Sequence, residues 1–171
     1  MNHIYLIGFM GAGKSSVGRR LASRLGLPFG DLDREIEQRA GSTVAEIFTE
    51  SGEERFRAIE SETLRSLAEK PRMVIACGGG VVISDENRAV LKRTGTVLYL
   101  KVDAAEALAR IGDKRTRPLL AGGGGTMAAT ALLTARESLY DAVGDLTVDT
   151  VGLSVDQVVD AAADALDGLE R

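Results

Sequence analysis

The sequence predicts an α/β fold built on a mainly parallel sheet. Strand-length apolar runs, such as Ile4–Ile7, Met73–Cys77 and Val97–Val102, alternate with segments of helical period. These runs are apolar almost throughout, not at every second residue. Strands read this way when helices bury both faces of a parallel sheet. The run Met73–Cys77 also stops at Gly78-Gly79-Gly80, and ligands of open α/β sheets bind at the carboxyl ends of strands.

The elements follow in order. Ile4–Ile7 is a first strand, and Ser15–Leu25 a helix with Val17, Leu21, Ala22 and Leu25 on one face. Leu27–Asp31 is a short second strand. Ser42-Thr43 with Glu46 forms a capping box for a helix through Phe48. A longer helix covers Ser51–Glu69, with Phe56, Ile59, Leu64 and Leu67 turned inward. Met73–Cys77 is the third strand, and Ser84 caps a helix through Lys92. Val97–Val102 is the fourth strand, followed by a helix from about Ala104 to Ile111. Leu146–Val148 is the fifth, and Ser154 with Gln157 opens a last helix with Val155, Val158, Val159, Ala162 and Leu166 inward. The glycine patch Ala121–Gly125 follows Arg115-Thr116-Arg117-Pro118 and is expected to be a mobile flap inside the domain.

With 171 residues, the chain fits one domain over residues 1–171. Its 44% hydrophobic and 27% charged residues are a globular balance. A net charge of −4 argues against a general nucleic-acid or acidic-membrane surface. The cations are mostly arginine, whose fork matches carboxylate and phosphate. One cysteine, Cys77, excludes an internal disulfide and points to a reducing, cytoplasmic setting. No leader pattern and no membrane-length apolar run is evident.

Gly8-Phe9-Met10-Gly11-Ala12-Gly13-Lys14-Ser15 matches the G-x-x-x-x-G-K-[ST] phosphate loop. Its glycines let backbone N–H groups curl around one phosphate, and the following helix adds the positive end of its dipole. Lys14 would reach the β- and γ-phosphates and Ser15 would ligate Mg²⁺. GTPases and motor ATPases share such loops. However, no N/TKxD guanine-reading sequence is evident, and no acidic residue ends Met73–Cys77.

Asp31 and Asp33 flank Leu32. If the chain is still extended there, both carboxylates share one side. That suits one beside Mg²⁺ and one beside an acceptor hydroxyl, or a solvated pair capping a helix that begins near Arg34. Arg57 lies among Glu53, Glu54, Glu60 and Glu62, and Arg117 and Arg136 bracket the flap. His3 reads as a solvated residue near the terminus, Cys77 as small core, Met10 as filler and Tyr140 as packing below Arg136.

Together, Gly8–Ser15, Asp31-x-Asp33, Phe56-Arg57 with Glu60, Gly78-Gly79-Gly80, Arg117-Pro118-Leu119-Leu120 and Arg136-x-x-Leu139-Tyr140 resemble the shikimate kinases in order and spacing, over nearly the whole chain. The resemblance implies a P-loop NTPase-type three-layer α/β fold like that of nucleoside monophosphate kinases. It has a five-stranded parallel sheet in the order 2-3-1-4-5, helices on both faces and a mobile lid, here at about residues 112–125. It implies transfer of the γ-phosphoryl of ATP to the 3-hydroxyl of shikimate in aromatic amino-acid synthesis, with Mg²⁺ and a monomeric enzyme.

By position, the resemblance makes Asp33, Lys14 and Arg117 catalytic. Asp33 would hold the acceptor hydroxyls and take the reacting proton, and Arg117 would be the lid arginine on the transferring phosphate. Arg57, Arg136 and Gly80 would hold the shikimate carboxylate, Gly79 would lie against the ring hydroxyls, and Glu60 would orient Arg57. Gly11, Ala12, Gly13, Lys14, Ser15 and Ser16, with Arg110 on adenine and Arg117, would bind the nucleotide. Ser15 and Asp31 would serve the metal.

Two stretches depart from the family pattern. Ala121–Thr134 is uncharged, which implies a more flexible lid. Val151-Gly152-Leu153 carries no polar side chain, so backbone contacts would have to serve adenine, with less strict exclusion of GTP. The alternatives are a kinase for another small hydroxy acid such as gluconate, or for a nucleotide, and a non-catalytic ATP- or shikimate-binding protein of the same fold.

Overall fold

The computed structural model describes residues 2–111 and 125–169. The expected lid therefore lies, except for Gly125, outside the described residues. Five strands form one sheet in the order β2-β3-β1-β4-β5. They are β1 (His3–Ile7), β2 (Phe29–Asp31), β3 (Val74–Ala76), β4 (Gly95–Lys101) and β5 (Leu146–Asp149). Every pairing is parallel, with Leu6 opposite Ala76 on one side and opposite Leu98 on the other. β1 is central and all five of its residues are buried, which explains its unbroken apolar run.

Among the described residues, seven α-helices join and flank these strands: α1 (Lys14–Leu25), α2 (Leu32–Ala40), α3 (Val44–Ala68), α4 (Asp85–Thr94), α5 (Ala104–Arg110), α6 (Gly125–Val143) and α7 (Val155–Leu169). The right-handed crossover rule explains the layers. The chain leaves β1 toward β2 in one direction, whereas β2 to β3, β3 to β4 and β4 to β5 all run in the other. Accordingly α1 packs with α7, while α3 packs with α4, and α4 and α6 pack over β4. The reversal lies between β1 and β3, where a crevice opens at the carboxyl ends of the strands.

Local chemistry sets the helix ends. Thr43 and Glu46 form the expected capping box, and Ser154 and Gln157 exchange the same reciprocal bonds at 2.9 and 3.3 Å. Ser84 accepts from Asn87 N ahead of α4. α3 joins the two helices expected around residues 43–69 across a break at Gly52, whose φ of 80° is left-handed. Gly18 brings α1 onto the sheet: a Cβ there would stand 2.7 Å from the Phe29 ring and 2.8 Å from Leu6.

Three expectations are corrected. His3 is not solvated: it is fully buried in β1, and its Nε2 donates to Ala68 O at 3.1 Å. Strand β1 begins one residue earlier than its apolar run, and that carries the imidazole inside. The chain is not extended through Asp33 either. α2 begins at Leu32, with Asp31 as its N-cap at φ −117° and ψ 116°. Finally, of the uncharged stretch Ala121–Thr134 expected to form a flexible lid, residues 125–134 form the first half of α6, where alanines supply helix propensity. A 3₁₀ turn at Val81–Ile83, not expected from the sequence, carries the chain from the glycine run to α4.

The α1–α7 contact gives a stability prediction. Arg20 pairs with Asp156 and Arg24 with Asp160, all largely exposed; exposed pairs contribute about 0.2–1 kcal/mol. Gly18→Val overpacks a buried contact and should cost about 1–3 kcal/mol. Urea unfolding should thus rank Gly18→Val well below Asp156→Asn; equal midpoints would contradict the close-packing account.

Candidate active site

The phosphate loop leaves β1 at Gly8 and enters α1 at Lys14. Its glycines have positive φ: 145° at Gly8, 79° at Gly11 and 91° at Gly13. Two are also sterically required, since a Cβ would lie 2.4 Å from Leu100 O at Gly8 and 2.6 Å from Ala107 O at Gly11. The loop is therefore pressed between the end of β4 and α5. Lys14 Nζ crosses it, donating to Gly8 O at 2.8 Å and Phe9 O at 2.9 Å. Gly13 brings no side chain to cap α1, so the start of this helix faces the loop with its dipole unscreened.

A cleft of about 640 Å³ opens over the loop. Gly11, Ala12, Gly13, Lys14, Ser15, Ser16, Asp31, Asp33, Gly79 and Arg110 all line it, so most of the residues singled out in the sequence meet there. Ser15 Oγ donates to Asp31 Oδ2 at 2.6 Å. Asp33 turns instead toward the end of β3: a Cβ on Gly78 would stand 2.9 Å from Asp33 Oδ1 and 3.2 Å from Glu60 Oε2. The two aspartates thus serve different parts of one cleft, because the helix start rotates Asp33 away from Asp31.

The glycine run also seats the arginines. A Cβ on Gly80 would lie 2.3 Å from Arg57 Nη1, so the guanidinium rests on bare backbone. Arg57 donates to Glu60 Oε1 at 2.9 Å and to Glu53 Oε1 at 3.3 Å, and lies 5.1 Å from the Phe56 ring centre. Arg136 is buried on α6, with Nη1 3.7 Å from the Cβ position of Gly79. Tyr140, one turn on, is buried beneath it, as expected, but its hydroxyl also donates to Gly79 O. Glu60 is fully buried, and burial pushes its carboxyl up from 4.5 against the pull of Arg57 and Arg136. Burial likewise raises the Cys77 thiol, helped by the charge of Glu60. Cys77 is therefore an inert core residue, as expected.

On the opposite wall, Arg110 donates to Gly11 O at 3.3 Å, Thr150 Oγ1 at 3.1 Å and Thr150 O at 2.8 Å, and also pairs with Glu106. Its guanidinium is held by its edge between the phosphate loop and the loop after β5. The backbone N–H groups of that second loop are engaged internally: Val151 with Asp149, Gly152 with Glu106, Leu153 with Thr150 O and Ser154 with Gln157. This refines the expectation that backbone contacts serve the base, because these donors already have partners and the loop's carbonyl oxygens are what it can offer. Sequence reading missed Glu106, Thr150 and Arg34, the last also lining the cleft. The i, i+4 spacing of Glu106 and Arg110 is a signal that could have found the first. Arg117 lies outside the described residues.

The chemistry of Ser15 and Asp31 fits Mg²⁺. A hydroxyl and a carboxylate stand together beside a phosphate loop. Among the described residues no group of three or more His, Cys, Asp or Glu could hold a metal. A magnesium ion bound with nucleotide needs only one or two protein groups, since water and phosphate complete its shell. No described helix is long and apolar enough to cross a membrane.

Comparison with known proteins agrees with this geometry. The shikimate kinase family model matches residues 10–167. A shikimate kinase of Geobacter sulfurreducens is 47% identical over 157 residues, covering 92% of this chain and 86% of that protein. One of Pelotomaculum thermopropionicum is 46% identical over 160 residues, covering 94% and 92%. The structure of a shikimate kinase from Acinetobacter baumannii in complex with shikimate superposes with a TM-score of 0.95 at 36% identity, covering 98% of this chain and 94% of that one. The chain belongs to the shikimate kinase family, ATP-dependent kinases acting on a hydroxyl group.

Proposed function

We propose that this chain transfers the γ-phosphoryl of ATP to the 3-hydroxyl of shikimate, giving 3-phosphoshikimate and ADP for aromatic biosynthesis, with the residues of the cleft in the following roles. The observation that carries the acceptor side is the pair of arginines, Arg57 and Arg136, against Gly80 and Gly79, with Gly79 beside the phosphate loop: its Cβ position lies 3.5 Å from Met10 N and 3.6 Å from Gly8 O. Two guanidiniums converging on bare backbone suit a small carboxylate, and each fork can bind it through two parallel hydrogen bonds.

Phosphoryl transfer depends on positioning and charge stabilisation. Lys14 and the N–H groups of Gly11–Ser16 hold the β- and γ-phosphates. Asp33 orients the acceptor hydroxyl and accepts its proton as that oxygen bonds to the γ-phosphorus and the bond to ADP breaks. Gly79 lies against the ring, Gly80 meets the carboxylate, and Arg110 offers its face to adenine. Ser15 and Asp31 would hold Mg²⁺, which would supply positive charge to offset that of the phosphates. The role of Arg117, as a lid arginine on the transferring phosphate, rests on its sequence position. The chain works as a cytoplasmic monomer in this reading, with every assigned residue in one copy.

Two sets of measurements test these roles. ADP release with MgATP should depend strongly on shikimate and little on quinate, gluconate or AMP. Release with another acceptor only would overturn the clamp assignment, and no release with any acceptor would favour a non-catalytic binding protein. In the same assay, Arg57→Lys should raise KM for shikimate about tenfold or more, since it keeps charge but loses the fork. Asp33→Asn should lower kcat by about 10²-fold or more.

The second concerns Glu60. Its folded pKa is raised, so the folded chain holds this proton more tightly than the unfolded chain. Its contribution to stability therefore declines as pH climbs from 4.5 through the raised value. Glu60→Gln removes this decline and loosens Arg57. Urea unfolding across pH should show the Gln variant gaining on the parent as pH rises from 4.5, while its KM for shikimate increases. A pH-independent difference in stability would show that the buried carboxyl does not titrate as described.

A further inference from the structure

Tyr140 is fully buried, stacked on Tyr99 with centroids 5.1 Å apart and planes at 26°. A tyrosine so placed needs no hydroxyl to fill its volume. The hydroxyl nevertheless makes a specific bond. It donates to Gly79 O at 2.5 Å, beside the Arg136 guanidinium, whose Nη1 lies 3.7 Å from the Cβ position of Gly79. Arg136 and Tyr140 are four residues apart on α6 and share one face. Gly79 belongs to the run after β3, 61 residues away in sequence from Tyr140.

We propose that Tyr140 is a positioning residue for the acceptor: its hydroxyl ties α6, the helix that carries Arg136, to the backbone of Gly79, so that the guanidinium and the glycine run meet shikimate as one unit. This rests on the reading of Arg136 as a carboxylate clamp. The geometry supports a tie and not packing alone. The Gly79 carbonyl is fixed through a side chain of another element, and Gly79 itself can bring no side chain to hold Arg136. Burial raises the phenol to about 12 despite the pull of Arg136, so it stays protonated and keeps donating at working pH. The phosphate loop has its own tie, Lys14 to Gly8 O and Phe9 O, so loosening Gly79 should affect the acceptor and spare the nucleotide.

The test is Tyr140→Phe, which keeps ring and stacking and deletes only the hydroxyl. Tyr99→Phe is the matched control in the same stack, since Tyr99 Oη has no hydrogen-bond partner among the described residues. Arg136→Lys reports on the clamp reading itself. Steady-state kinetics and thermal unfolding of all three are compared with the parent. We expect Tyr140→Phe to raise KM for shikimate about tenfold, with KM for ATP and kcat within about twofold and an unfolding midpoint close to that of Tyr99→Phe. An unchanged KM for shikimate in Tyr140→Phe, with Arg136→Lys impaired, overturns the proposal. Equal losses toward ATP and shikimate, or a midpoint that falls with no change in KM, would assign Tyr140 a purely structural role and also overturn it. A normal KM in Arg136→Lys would overturn the clamp reading, and the proposal with it.

Discussion

The backbone of Gly78, Gly79 and Gly80 is the surface on which Asp33, Glu60, Arg57 and Arg136, the proposed acceptor half of the site, are assembled. Asp33 and Glu60 close on the Cβ position of Gly78, Arg136 comes beside that of Gly79, and the Arg57 guanidinium lies on that of Gly80. None of these three glycines has a positive φ, so the requirement is space and not backbone conformation. A side chain on Gly78 or Gly80 would stand where a carboxylate or a guanidinium now stands, whereas a Cβ on Gly79 would meet Arg136 at ordinary contact distance. The run occupies the reversal between β1 and β3, with the phosphate loop on the adjacent strand. Topology alone therefore brings the donor phosphates and the acceptor to the same place.

That arrangement concentrates charge where water is scarce. Glu60 and Arg136 are buried, and the Arg57 side chain is only 18% exposed. Burying a carboxylate is unfavourable, and Glu60 shows it in a raised pKa even with Arg57 bonded to it. A fold optimised for stability alone would place an apolar residue there. The carboxylate instead holds Arg57 in a defined orientation, with Glu53 and the Phe56 ring completing the seat. In the proposed reading, cations preorganised in this way would need little rearrangement on meeting an anionic acceptor.

The nucleotide wall uses a different device. Arg110 is fixed by acceptors from the phosphate loop, α5 and the loop after β5. Glu106 binds both this arginine and the N–H of Gly152, so one carboxylate joins two walls. Exposed Val151 and Leu153 bring no polar side chain, so in the proposed reading recognition of the base falls to the arginine face and the loop's carbonyl groups.

The sequence alone determined the α/β class, the position of every strand to within two residues and the phosphate loop, because each depends on local pattern: apolar runs, fixed glycines and capping residues. The sheet order, the acceptor residues and their grouping came from the resemblance of several weak motifs taken together. Tertiary structure decided what local pattern does not carry. α6 escaped the periodicity reading because its buried stripe, Ala129, Arg136, Tyr140 and Val143, contains an arginine that packs inward only once Gly79 and Tyr140 surround it. His3 reads as polar and terminal until parallel pairing on both sides buries β1. Asp31 and Asp33 look equivalent until the start of α2 sends one to Ser15 and the other to Gly78. In each case the deciding contact joins residues far apart in sequence, and the spacing of residues along the chain holds no record of it.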